Sequence, residues 1–122
     1  MSKGKKIGFN FDRENDILFI YNSAKKSQGS IEYGTNVHIS FAGNEVVGLE
    51  ILDASKFLTA ISKTEVTESN LAGLSECDLY TKKKNGLLFI TFACRFKEKI
   101  NPIENYLTLQ DADYNSPLVA GA

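Results

Sequence analysis

The chain has no tryptophan, one methionine, one histidine, two prolines and two cysteines among its 122 residues. Two cysteines cannot make a disulfide scaffold, and with one histidine they fall short of the usual ligand set of structural zinc. No apolar run reaches the roughly 18 residues that a spanning helix needs. The opening residues, Met1 to Lys6, are basic but lead into an alternating segment instead of an apolar signal core, so a cytoplasmic location is expected. Neither sign of charge dominates: 14 Lys and Arg stand against 15 Asp and Glu. Binding along phosphates needs a concentrated positive field, so a nucleic-acid partner is not expected. A Gly-rich phosphate loop, a Gly-x-Ser-x-Gly elbow and a His-Glu-x-x-His pattern are all missing. These absences set the expectation of a non-enzymatic protein with no metal and no cofactor.

What is present suits one globular domain over residues 1–122. Hydrophobic residues make up 43% and charged residues 24%, too apolar and too evenly charged for a disordered chain. Five Tyr and eight Phe supply the bulk for a β core. Alternation predicts strands at 7–13, 36–41 and 45–52, with a short edge strand near 30–33. The run at 17–22 is apolar at nearly every position, as in a strand covered on both faces. Asp53 is placed to cap a helix over 54–62. Residues 64–75 are polar and read either as linker or as a further helical turn. Strands follow at 78–83, 87–96, 106–110 and 117–120. Asn85-Gly86 between apolar runs marks a type I′ hairpin, whose two central residues need positive φ. The expected core includes Phe9, Phe11, Leu18, Ile20, Val37, Ile39, Leu49, Ile51, Leu79, Leu88, Ile90 and Phe92.

Shifting the chain on itself by 70 residues places Asn15 to Ile20 on Asn85 to Ile90, and Val37 and Ile39 on Leu107 and Leu109. This reads as two repeat units, about 7–52 and 77–121, joined by a helical connector at 53–75. A repeat that cannot bury its apolar face alone pairs with its copy. The expected fold is mainly β: two antiparallel four-stranded meanders packed as a pseudo-symmetric sandwich or partly closed barrel, with one short connecting helix.

Three stretches in the first half carry a resemblance: Phe11-Asp12, then Asp16-Ile17-Leu18-Phe19-Ile20, then Val47-Gly48-Leu49-Glu50-Ile51-Leu52-Asp53-Ala54-Ser55. Together they resemble a family of short prokaryotic proteins, domain of unknown function 2283, over about residues 7–57. Phe11 and Phe19 stand where that pattern has Tyr, and Gly86 stands in the second half where the first has Asp16. The resemblance implies no established activity. It implies protein binding of the kind seen in antitoxin-like partners of small toxins.

Several residues are candidates for chemistry. Asp12-Arg13-Glu14-Asn15-Asp16 spaces acids like half a calcium loop, but Ile17 and Ser23 occupy the positions of the required Gly and bidentate acid, so a polar hairpin turn is favoured. Glu50 should point away from the Leu49–Ile51 face, and Asp53 should cap. His38 lies on the polar face of its strand with no partner assignable. Lys82, Lys83 and Lys84 precede the hairpin turn; they either touch phosphate or keep the turn soluble. Counting outward from Asn85-Gly86 puts Lys84 opposite Leu87, Leu79 opposite Phe92 and Cys77 opposite Cys94. That geometry leaves two readings, reduced core cysteines or a cross-strand disulfide.

Three functions compete on this basis. The first is a protein-interaction module, monomeric or homodimeric, with a protein partner. The second is a small-ligand binder with a cavity between the repeats. The third is a hydrolase-like enzyme whose acids, Asp16 and Glu50 among them, converge in one cleft.

Overall fold

The computed structural model describes residues 7–98 and 101–110. Period-2 patterning produces an antiparallel sheet from β1 (Ile7–Asp12), β2 (Ile17–Asn22), β3 (Gly29–Tyr33), β4 (Val37–Ala42) and β5 (Glu45–Leu52). Two helices follow, α1 (Ala54–Ser62) and α2 (Glu68–Ala72), and then a second antiparallel sheet of β6 (Leu74–Lys84), β7 (Leu87–Phe96) and β8 (Ile103–Gln110). The predicted strand at 117–120 lies outside the described residues. No helix among them is long and apolar enough to cross a membrane.

The first sheet is not the four-stranded meander expected from the sequence. Its order is β1-β2-β5-β4-β3, so β5 returns to lie between β2 and β4 and the short β3 becomes an edge. Every strand pair is antiparallel, and the sheets do not close into a barrel. Of the two readings left open for 64–75 the further helical turn forms, as α2, so the connector holds two helices. Thr67 caps the second, with its side chain accepting from the Asn70 amide while the Asn70 side chain accepts from the Thr67 amide.

The 70-residue correspondence fails beyond the first hairpin. Leu49 and Ile51 of β5 face Ile20 and Leu18 of β2. Leu107 and Leu109 of β8 face Ile90 and Leu88 of β7 in the same way. Thus β8 takes the place of β5, not of β4 with Val37 and Ile39. The turns differ as well: Asp12 pairs with Ile17 across a longer connection, whereas Lys84 pairs with Leu87 across Asn85-Gly86 alone. Asn85 and Gly86 have φ of 52° and 78°, the two positive values that a type I′ turn demands.

One core forms between the inner faces. Leu18, Ile20, Ile39, Phe41 and Ile51 come from the first sheet, Leu79, Leu88, Ile90, Phe92 and Cys94 from the second, and Leu58 and Leu71 from the helices. Ten of the twelve residues expected in the core are buried; Phe9 and Phe11 are half-buried because β1 is the sheet's last strand. The apolar β2 is covered on one face only. Leu18 and Ile20 point inward and are fully buried, while Ile17 and Phe19 are half-buried and Tyr21 is exposed. The Tyr21 ring lies over Gly8, where an added Cβ would stand 2.7 Å from ring carbon Cε1. A bulge in the β4–β5 ladder lets both Val46 and Val47 be buried.

Phe41 has no solvent exposure and stands at the end of the core where the bulge re-aims β5. Phe41→Ala should lower unfolding free energy by about 3–5 kcal/mol, read as a shifted urea midpoint at unchanged slope.

Candidate functional site

The acidic turn is held by its own hydrogen bonds. The Asp12 carboxylate accepts from the Asn15 amide at 3.2 Å and from Asn15 Nδ2 at 2.9 Å. Those hydrogen bonds, the side-chain one foremost, hold the Asp12 carboxyl below its ordinary pKa. Asp16 turns the other way. Its φ is 56°, a left-handed conformation that Asp tolerates because its short polar side chain bonds locally. Its carbonyl accepts from Ala54 N at 2.9 Å. Its carboxylate accepts from Ser55 N at 3.1 and 3.2 Å and from Ser55 Oγ at 2.7 Å.

Asp16 therefore satisfies amides at the start of α1 that the helix itself leaves unbonded. A carboxylate there also meets the positive end of the helix dipole. This corrects the cap expected at Asp53. Asp53 is left-handed, with φ 51°, and its side chain makes no cap hydrogen bond. The cap comes from 39 residues upstream, which local spacing could not show.

Glu50 lies on the outer face of the first sheet, opposite Phe19 on one side and His38 on the other. Glu50 Oε1 stands 3.3 Å from His38 Nδ1, and Glu32 Oε2 of β3 stands 3.8 Å from His38 Nε2. His38 thus has carboxylates from both neighbouring strands, partners that the sequence alone could not assign. Beside this row a trough of about 350 Å³ runs over Gly48, bordered by Phe19, Tyr21, Lys25 and Ser40. Asp12, Asp16, Glu50 and Asp53 do not converge: Asp12 closes a turn, Asp16 caps a helix, Glu50 faces His38 and Asp53 is exposed. Among the described residues no group of three or more His, Cys, Asp or Glu is arranged to hold a metal ion.

Register places Lys82 and Lys84 on the outer face of the second sheet and Lys83 on the opposite side, facing Leu88. Residues that the sequence reading missed share the outer face. Tyr80 and Tyr106 flank Thr91, and Phe89 lies between Lys82 and Thr108. The rings of Phe89 and Tyr106 meet edge-on at 6.2 Å. The alternation Tyr80, Lys82, Lys84 was a usable signal; Tyr106 depends on the β7–β8 register, which no turn motif marks.

Cys77 faces Cys94 across the β6–β7 ladder, both buried and both free thiols, with Sγ atoms 4.0 Å apart. The contact with Cys94 and burial together push the Cys77 thiol upward in pKa. A thiol so protonated is a poor nucleophile.

The first sheet, tied at its end to α1 through Asp16, defines a compact antiparallel β unit with a long-range helix cap. Residues 9–55, which span that unit from β1 to the first turn of α1, match the family described as Protein of unknown function (DUF2283). Searches of the curated proteins and of the solved structures gave no match. Asp16 and Ser55, both within the matched stretch, are the two ends of the cap.

Asp16→Ala should cost about 0.5–2 kcal/mol, seen as a lower urea midpoint, while Asp53→Ala should leave the helix cap intact. Native protein should leave both thiols unreacted toward a thiol-specific colorimetric reagent, and denaturant should expose them together. Rapid labelling of the folded chain would contradict the buried pair.

Proposed function

We propose that the chain is a non-enzymatic protein-interaction module that binds an extended segment of a protein partner along β3. One observation carries this reading: β3 pairs with β4 alone and ends the first sheet. An edge strand presents unpaired amides and carbonyls, a template for another strand. Ile31 and Tyr33 of β3 are half-buried on its inner side and pack against the core. A strand added beside them would extend the apolar face, and Glu32 on the outer side would meet its polar residues. Within this reading the family resemblance favours a small toxin protein as the partner.

A second reading has one observation in its favour. A cleft of about 370 Å³ opens where the two sheets meet, lined by Ala42, Asn44 and Glu45 from the first and by Thr81, Lys83 and Leu88 from the second. It suits a small polar ligand. The hydrolase-like reading has no comparable support, because its acids are engaged separately.

The test is affinity purification of the tagged chain from its source cell with mass spectrometry, repeated with Ile31→Lys. An inward charge on an edge strand blocks strand addition. The expected result is a stoichiometric small protein that is lost at least tenfold in Ile31→Lys while circular dichroism stays unchanged. A partner retained by the variant would reject the β3 edge. Recovery of no protein, but of a small molecule in native mass spectrometry, would favour the cleft.

A further inference from the structure

The outer face of β6, β7 and β8 is ordered by charge along its length. Nearest the Asn85-Gly86 turn stand Lys84 and Lys82. The middle rows hold Phe89 between Lys82 and Thr108, then Tyr80, Thr91 and Tyr106 side by side. At the far end Asp78 and Glu104 flank Ala93, and Glu76 pairs with Arg95. Arg95 Nη1 lies 3.1 Å from Asp78 and 3.5 Å from Glu76, so the far end keeps a negative excess. Tyr80 and Tyr106, midway along the two edge strands of this sheet, are 43% and 59% exposed.

We infer that this face joins two copies of the chain, face to face, about a two-fold axis that crosses the strands at the Tyr80–Thr91–Tyr106 row. Such an axis reverses the strand direction of the second copy while keeping β6 over β6. Lys82 then meets Asp78 of the second copy, and Lys84 meets its Glu76. Phe89, the bulkiest side chain of its row, meets Ala93, the smallest residue on the face. Tyr80, Thr91 and Tyr106 each meet themselves. Isologous contacts require such self-complementarity, and the opposite charges at the two ends supply it.

A single-stranded nucleic acid is the other occupant that exposed aromatics and lysines would suit. The acidic far end repels phosphate, and the face as a whole has no positive excess, so the second copy fits better. Three strands with their side chains span about 15 Å by 27 Å. Two copies would therefore bury on the order of 1,000 Å², at the low end of specific interfaces. The dimer should be reversible, dissociating in the micromolar range.

Sedimentation equilibrium of the full chain tests this. The native chain should pass from monomer to dimer across micromolar concentrations, with weaker association at high salt. Lys82→Glu with Lys84→Glu makes both ends acidic; Glu76→Lys with Asp78→Lys makes both basic. Each double variant alone should dimerise at least tenfold more weakly. An equimolar mixture of the two should restore a heterodimer, a rescue that loss of folding could not produce. Thr91→Arg, on the axis, should abolish association with circular dichroism unchanged. A native chain that stays monomeric, or charge variants that do not rescue each other, would overturn the inference. So would a fluorescent oligouridylate that binds the native monomer and is released by Tyr106→Ser.

Discussion

The Asp16 carboxylate, bonded to the amide and hydroxyl of Ser55, is the contact that ties the first sheet to the connector. It joins the turn that begins β2 to the helix that follows β5, at the end where those two strands are paired through Ile17 and Leu52. The helix is thereby set at the exit of the first sheet, with Leu58 in the core. Its far end meets β8 of the second sheet, where Asn105 Nδ2 donates to the Ile61 carbonyl at 3.1 Å. A charge-assisted contact that spans 39 residues thus sets where the connector leaves the first sheet, and α1 touches the second sheet near its other end.

That contact also gives two residues of the family-like motif a structural role. Asp16 and Ser55 stand far apart in the chain, and Asp16 alone resembles a ligand. In the fold they are one hydrogen-bonded pair. The face with surplus exposed side chains lies elsewhere, on the second sheet, beyond the stretch that matches the family.

Local features were readable from the sequence and non-local ones were not. The type I′ turn at Asn85-Gly86 set the β6–β7 register down to the opposition of Cys77 and Cys94, because a two-residue turn leaves no freedom in the count. Alternation correctly assigned the inner face of β4 through Val37 and Ile39. The place of β5 beside β2 could not be read, since both a meander and the observed order satisfy the same alternation. Nor could the cap: Asp53 has the right position before α1, but its backbone is left-handed and its side chain makes no cap hydrogen bond. Likewise Glu50 and His38 sit on separate strands, and only the β4–β5 pairing brings them within 3.3 Å.

The insertion of β5 between β2 and β4 has a kinetic side. The β6–β7 hairpin closes across two residues, whereas the β2–β5 pairing must bring together strands separated by residues 23–44. Loop-closure entropy grows with the logarithm of that separation and must be overcome before the pairing can stabilise anything. The order of assembly follows from this asymmetry: the β6–β7 hairpin needs no distant contact, while the first sheet waits for its own long closure. The matched stretch, which holds that long closure, then forms later than the β6–β7 hairpin although it precedes it in the chain.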